Sequence, residues 1–137
     1  KRALAVSKQL TGSQGTWRCR VRAGEGAEAM GLVFQAGPER KQGFACLLTA
    51  GGARLETLQG QVLWEDPKCS RQPATEYVLE GVVATDRVAA RVLAADGETV
   101  LSASPDVPGA ESNNARDGRL GVVMCGGAGE FRGGEIE

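Results

Sequence analysis

Histidine is absent from the 137 residues. Its absence removes the side chain most used as a general base near neutral pH, the commonest transition-metal ligand and the usual partner of a nucleophilic serine or cysteine. Catalysis by paired carboxylates survives that exclusion. Cysteine is sparse: Cys19, Cys46, Cys69 and Cys125 are widely separated, and no C-x-x-C spacing exists. A zinc site is therefore not expected. No apolar run approaches the roughly 18 residues of a membrane-spanning helix. Aromatics are few, with Trp17, Phe34, Phe44, Trp64, Tyr77 and Phe131 the whole set. Neither sign of charge dominates: 16 basic and 17 acidic residues leave a formal charge of -1. The basic excess of nucleic-acid and membrane-surface binders is missing, so neither partner is expected.

What is present is alternation. In Thr16-Trp17-Arg18-Cys19-Arg20-Val21-Arg22 the apolar residues point one way and the three arginines the other, the period of a strand with one dry face. The pattern recurs. Strands are predicted over residues 3–10, 16–22, 29–36, 43–49, 53–58, 61–65, 75–84, 87–94, 98–102, 119–125 and 129–136. Asp96-Gly97 between two alternating runs signals a hairpin. The stretch 104–118, with Pro105, Pro108 and Gly109, has no period. Twenty glycines suit many tight turns and argue against helices, where each interior glycine costs about 1 kcal/mol relative to alanine. A helix over 75–93 is the one alternative, disfavoured by its β-branched valines and the lack of a cap. Ten or eleven short strands at this spacing predict an all-β, two-sheet antiparallel sandwich or barrel in a single domain spanning 1–137. The chain opens at Lys1 without a leader-like segment, which reads as a module of a longer protein.

Several groups are candidates for chemistry. Glycoside hydrolysis needs two carboxylates across the scissile bond, and Glu65-Asp66 and Glu135-x-Glu137 are the available pairs. Glu135 and Glu137 share a strand face, but exposed strand-end charges are ordinary. Trp17, Phe34, Phe44 and Tyr77 follow the inward pattern and read as core. Trp64 differs, because it ends a strand beside two carboxylates. It is either a stacking platform for a sugar ring or a loop-packing tryptophan. Arg18, Arg20 and Arg22 are either an anion-binding stripe or a solvent face paired with glutamates such as Glu80. Asn113, Asn114, Arg116 and Asp117 offer amide, guanidinium and carboxylate groups. Two oxygens fall short of a calcium site, so no cofactor is expected and calcium stays open. Four cysteines allow three disulfide pairings. Cys69 lies in a polar loop, and Cys46–Cys69 is the preferred pair.

Gly31-Leu32-Val33-Phe34-Gln35 followed by Gly43-Phe44-Ala45-Cys46 resembles a strand pair of concanavalin A-like jelly rolls. Glu76-Tyr77-Val78-Leu79 with Val88-Ala89-Ala90-Arg91-Val92 and Asp96-Gly97 resembles the family's central run. Asp117-Gly118-Arg119-Leu120-Gly121 through Gly129-Glu130-Phe131-Arg132 resembles its closing run. The resemblance covers about residues 15–136. Within it the chain is most similar to fructan-binding carbohydrate modules of levanases and to the related 3-keto-disaccharide hydrolase-type domain. Three positions depart from the fructan modules: Gln35 stands where they carry arginine, Phe44 replaces a tyrosine, and Met124-Cys125 replace an aromatic. The resemblance implies a jelly roll, a non-catalytic carbohydrate-binding role and a secreted bacterial origin, hence an extracellular or cell-surface location. The expected glycan contacts are Gln35, Arg40, Trp64, Glu65, Asp66, Asn113, Asn114 and Arg116. The rival readings are a protein-interaction or structural jelly roll without a glycan site, and a glycosidase-type domain.

Overall fold

The structure is a computed structural model that describes residues 2–12, 14–24, 26–37, 42–72, 74–84, 86–108 and 118–137. Twelve strands make it up: β1 (Arg2–Gly12), β2 (Gly15–Ala23), β3 (Ala29–Ala36), β4 (Phe44–Thr49), β5 (Gly52–Thr57), β6 (Val62–Asp66), β7 (Glu76–Val83), β8 (Arg87–Ala94), β9 (Val100–Ala103), β10 (Val107–Pro108), β11 (Gly118–Cys125) and β12 (Gly129–Ile136). One sheet runs β1-β11-β3-β4-β5-β6; the other runs β10-β8-β7-β2-β12, with β9 also paired to β8. Every pairing is antiparallel. The strand missing from the sequence-based count is β10, two residues long. So short a strand leaves no period to detect.

Alternation builds the core. Trp17, Cys19 and Val21 of β2, Tyr77, Leu79 and Val83 of β7, and Val88, Ala90 and Val92 of β8 face Met30, Leu32 and Phe34 of β3, Phe44, Cys46 and Leu48 of β4, and Ala53 and Leu55 of β5. These rows come from strand registers that place Trp17 opposite Gly81 and Gly81 opposite Ala90. The sheets press closely at Gly81: a Cβ there would sit 2.5 Å from Cδ1 and Cε1 of Phe34. The Phe34 ring in turn stacks on Phe44 at 5.7 Å.

The first sheet also has apolar residues on its far face. Val33, Ala36, Ala45, Leu47 and Val123 form a second buried cluster, against which Leu4, Val6 and Leu58 pack. Strands β3 and β4 are thus buried on both faces, which matches their near-continuous apolar sequence.

Two register breaks re-aim side chains. On β3, Phe34 and Gln35 oppose the single residue Leu120 of β11, and Gln35 takes a φ of 56°. On β12, Gly133 and Gly134 oppose the single residue Cys19 of β2, with Gly133 at a φ of 66°. That bulge lets Phe131 and Ile136, five positions apart, both pack on the core.

Candidate functional site

Strand β6 carries three of the expected contacts. Trp64 pairs with Leu55, whose side chain is inward, and it packs half-buried against the core. Glu65 lies on the opposite face, across from Arg54 of β5. Arg54 is held from two sides: its Nη1 lies 3.5 Å from Glu56 Oε2 and its Nε lies 3.3 Å from Glu65 Oε1. Glu56 is almost fully buried, whereas Glu65 and Arg54 are 53% and 40% exposed. A planar guanidinium forked between two carboxylates is a fixed array of charged donors and acceptors on the rim of the sheet. Asp66 accepts from the Ser102 hydroxyl at 2.5 Å and from the Lys68 amide at 3.0 Å. Those two donors hold its carboxyl below the usual range, the serine contributing most.

Gln35 lies elsewhere. It sits on β3, three strands from β6, and is buried. Its Nε2 donates to the Gly12 carbonyl at 3.4 Å. Gly118 of β11 packs against it, where a Cβ would come within 2.8 Å of the Gln35 Cα. A non-glycine residue at positive φ inside a bulge is a strained position of the kind that gathers at functional sites. Trp64, Glu65 and Asp66 are together by chain continuity, and Gln35 does not join them. Arg40, Asn113, Asn114 and Arg116 lie outside the described residues, as does Asp117. Among the described residues, no group of three or more acidic or cysteine side chains is placed to hold a metal ion.

Two of the three arginines of the β2 stripe, Arg18 and Arg20, have ion-pair partners. Arg18 bonds Glu80, which also receives Arg91 Nη2 at 2.6 Å. Hydrogen bonding to Glu80 raises the Arg18 pKa. Arg20 Nη1 lies 3.3 Å from Glu76, and Arg132 bonds Glu76 from β12, with its Nε at 3.0 Å. Arg132 and Arg20 together keep the Glu76 carboxyl below its ordinary value, Arg132 first. For Arg18 and Arg20 the face is thus a cross-strand charge ladder, the glutamate-paired alternative.

Two recesses open at the end of the sandwich where β2 gives way to β3. The larger, about 500 Å³, is lined by Ala23, Gly24, Gly26, Ala27, Ala50, Arg71 and Ala74. The smaller, about 230 Å³, lies between Arg22 and Gly24 on one side and Ala128 to Glu130 on the other. Arg71 is fastened in place: its amide donates to the Thr49 carbonyl at 3.1 Å and its Nη2 to the Ala27 carbonyl at 2.5 Å. Its Nη1 is shielded and has no hydrogen-bond partner among the described residues.

The expected Cys46–Cys69 bridge is not formed, and all four cysteines are free thiols. Cys46 instead points its sulfur at the Arg91 carbonyl of the facing sheet, 3.8 Å away. Burial pushes the Cys19 thiol up to about 12 and raises Cys46 and Cys69 as well.

Arg54, Glu56 and Arg71 are the polar groups that sequence reasoning passed over. Counting register back from the turn between 53–58 and 61–65 would have set Arg54 beside Glu65. Arg71, in an aperiodic loop, left no such signal.

The fold is that of a concanavalin A-like jelly-roll sandwich. Solved structures similar to it include the carbohydrate binding module CBM66 from Bacillus subtilis, at a TM-score of 0.76 and 15% identity, covering 99% of this chain and 81% of that one. Galectin LEC-6 of Caenorhabditis elegans follows at 0.59 and 10% identity, covering 100% and 91%. Chicken Galectin 2 gives 0.59 and 10%, covering 90% and 94%. No family model and no curated protein sequence matches the chain.

Proposed function

We propose that the protein is a non-catalytic glycan-binding module, and that the Arg54 clamp on the outer rim of the first sheet contacts the sugar. The clamp carries the reading. Arg54 and Glu65 present a donor and an acceptor to solvent, and the buried Glu56 fixes Arg54 from below. Vicinal hydroxyls need such paired donors and acceptors, and few precisely placed polar groups beside apolar surface are how small ligands are held. The fold supports the same reading, since its similar structures include a module named for carbohydrate binding. Trp64 backs the strand from within, and Glu65 is the expected contact that reaches solvent. Fructan as the ligand is disfavoured by Gln35, Phe44 and Met124.

The carboxyls favour binding over hydrolysis. Asp66, of the Glu65-Asp66 pair, is displaced downward by its two donors, whereas a glycosidic general acid needs an upward shift. Glu65 and Asp66 also point to opposite faces of one strand.

A glycan array followed by calorimetry tests the proposal. Arg54→Ala should weaken binding of the selected glycan about tenfold or more, since a charge-assisted hydrogen bond is worth about 1.5–3 kcal/mol. Unchanged affinity in both Arg54→Ala and Glu65→Ala overturns the assignment of this rim. Absence of binding to every glycan overturns the function and favours the protein-interaction reading.

A further inference from the structure

We infer that the Arg71 recess is a second binding site, selective for a negatively charged sugar such as a uronic acid residue. The choice of a sugar over other carboxylates rests on the glycan-binding reading; the choice of a negative ligand does not. Four observations lead there. The recess measures about 500 Å³, within the roughly 300–1,000 Å³ typical of ligand pockets. Besides Arg71, the described residues that line it are alanines and glycines, which fill little of it. Among the described residues, Arg71 is the only charged side chain lining it. That guanidinium is half-buried, with one arm on the Ala27 carbonyl and the other shielded without a partner among the described residues.

A buried polar group without a partner is costly, and a charged one more so. Arg71 is a cation whose charge is incompletely compensated. Arg71 lines the recess, so a counter-charge held there would lie beside the guanidinium. A carboxylate matches the flat guanidinium in shape as well as sign. A sugar ring behind that carboxylate would lie against Ala23, Ala27, Ala50 and Ala74, where apolar walls meet its C–H faces.

The recess and the Arg54 clamp share no side chain. Arg71 and Ala27 stand at the end of the sandwich where β3 begins, while Arg54 lies on the outward face of β5, so the two can be separated by mutation. Titration of the isotopically labelled protein with galacturonate, galactose and acetate, followed by amide chemical shifts, reads the recess directly. Galacturonate should shift the amides of Gly24, Gly26, Ala27 and Arg71, and the response should weaken as salt is raised. Galactose should shift them at least tenfold less at equal concentration, and acetate less than galacturonate.

Arg71→Met should abolish the response. Because Arg71 also ties two loops together, Ala50→Leu is the second variant: it narrows the recess from an exposed turn and leaves Arg71 in place. Loss of galacturonate binding in Ala50→Leu supports the site. Equal responses to galacturonate and galactose overturn the selectivity. An acetate response equal to that of galacturonate overturns the sugar and leaves a bare carboxylate site. No response at these amides, with Arg54-dependent glycan binding intact, overturns this site alone and leaves the function proposed above standing.

Discussion

Gly81→Ala adds one methyl group where the two sheets press together. The new Cβ would lie 2.5 Å from two ring carbons of Phe34 and 2.6 Å from a third. Ordinary carbon–carbon contact is about 3.5–4.0 Å, so the ring or the sheet must retreat by about 1 Å. Phe34 has no accessible surface and is stacked against Phe44, which blocks the easy retreat. Overpacking of this kind costs about 1–3 kcal/mol, and contact with three ring atoms sets the cost near the top, about 3 kcal/mol. Loss of glycine's freedom in the unfolded chain returns about 0.4–1 kcal/mol. The net expectation is a loss of about 2 kcal/mol. At about 2.1 cal/mol/K of unfolding entropy per residue, that lowers the Tm by about 7 °C. Urea denaturation and calorimetry measure both. Phe34→Leu should relieve the strain, so the double variant should be at least 1 kcal/mol more stable than the two single losses added together. A Gly81→Ala loss under 0.5 kcal/mol, or strict additivity, would refute the argument from sheet spacing.

Further outcomes follow from the titratable groups. Asp96 caps the turn between β8 and β9: it accepts from the Thr99 hydroxyl at 2.6 Å and from the Thr99 and Glu98 amides at 2.8 Å. These bonds, led by the Thr99 hydroxyl, hold its carboxyl at about 2. A depressed folded value stabilises the protein above the unfolded value of about 3.9, and the gain disappears as pH falls through the folded value. The stability difference between wild type and Asp96→Asn should therefore be full at pH 5 and shrink from pH 4 to pH 2; a constant difference would refute it. For the thiols, Cys19, Cys46 and Cys69 are buried and pushed upward, whereas Cys125 is half-exposed and donates to Glu28 at 3.3 Å. A thiol reagent at pH 8 should modify Cys125 promptly and the other three only on unfolding, for a total of four. Prompt reaction at two sites, or fewer than four thiols in denaturant, contradicts the free-thiol assignment.

The sandwich was legible because its inner faces obey period two. Trp17-x-Cys19-x-Val21 and Tyr77-x-Leu79-x-Gly81 announce strands with one dry side, and the structure places those sides together. Asp96-Gly97 likewise carried its turn, with Gly97 at a φ of 73°. Alternation does not reveal what lies over an outer face. Val33 and Leu47 read as the outward set of their strands, yet they are buried in a cluster of their own. Nor does it show a bulge: Gln35 follows the outward period but bends out of it at positive φ. The polar sites were harder still. Arg54 and Glu65 are eleven positions apart and meet only through register, while Arg71 reaches Ala27, distant in sequence, across a loop. Contacts closed by tertiary packing leave no local period behind.

The glycine pair near the end of β12 has one further consequence. Phe131 and Ile136, an odd number of positions apart, reach the interior together because the bulge between Arg132 and Glu135 absorbs one peptide unit. Take one residue out of that stretch and the bulge closes: Phe131 and Ile136 then stand four apart, alternate regularly and still face inward opposite Val21 and Trp17. The strand end therefore tolerates a shorter chain better than a bulkier one: a deletion restores plain alternation, whereas a side chain at position 133 must adopt a φ of 66°.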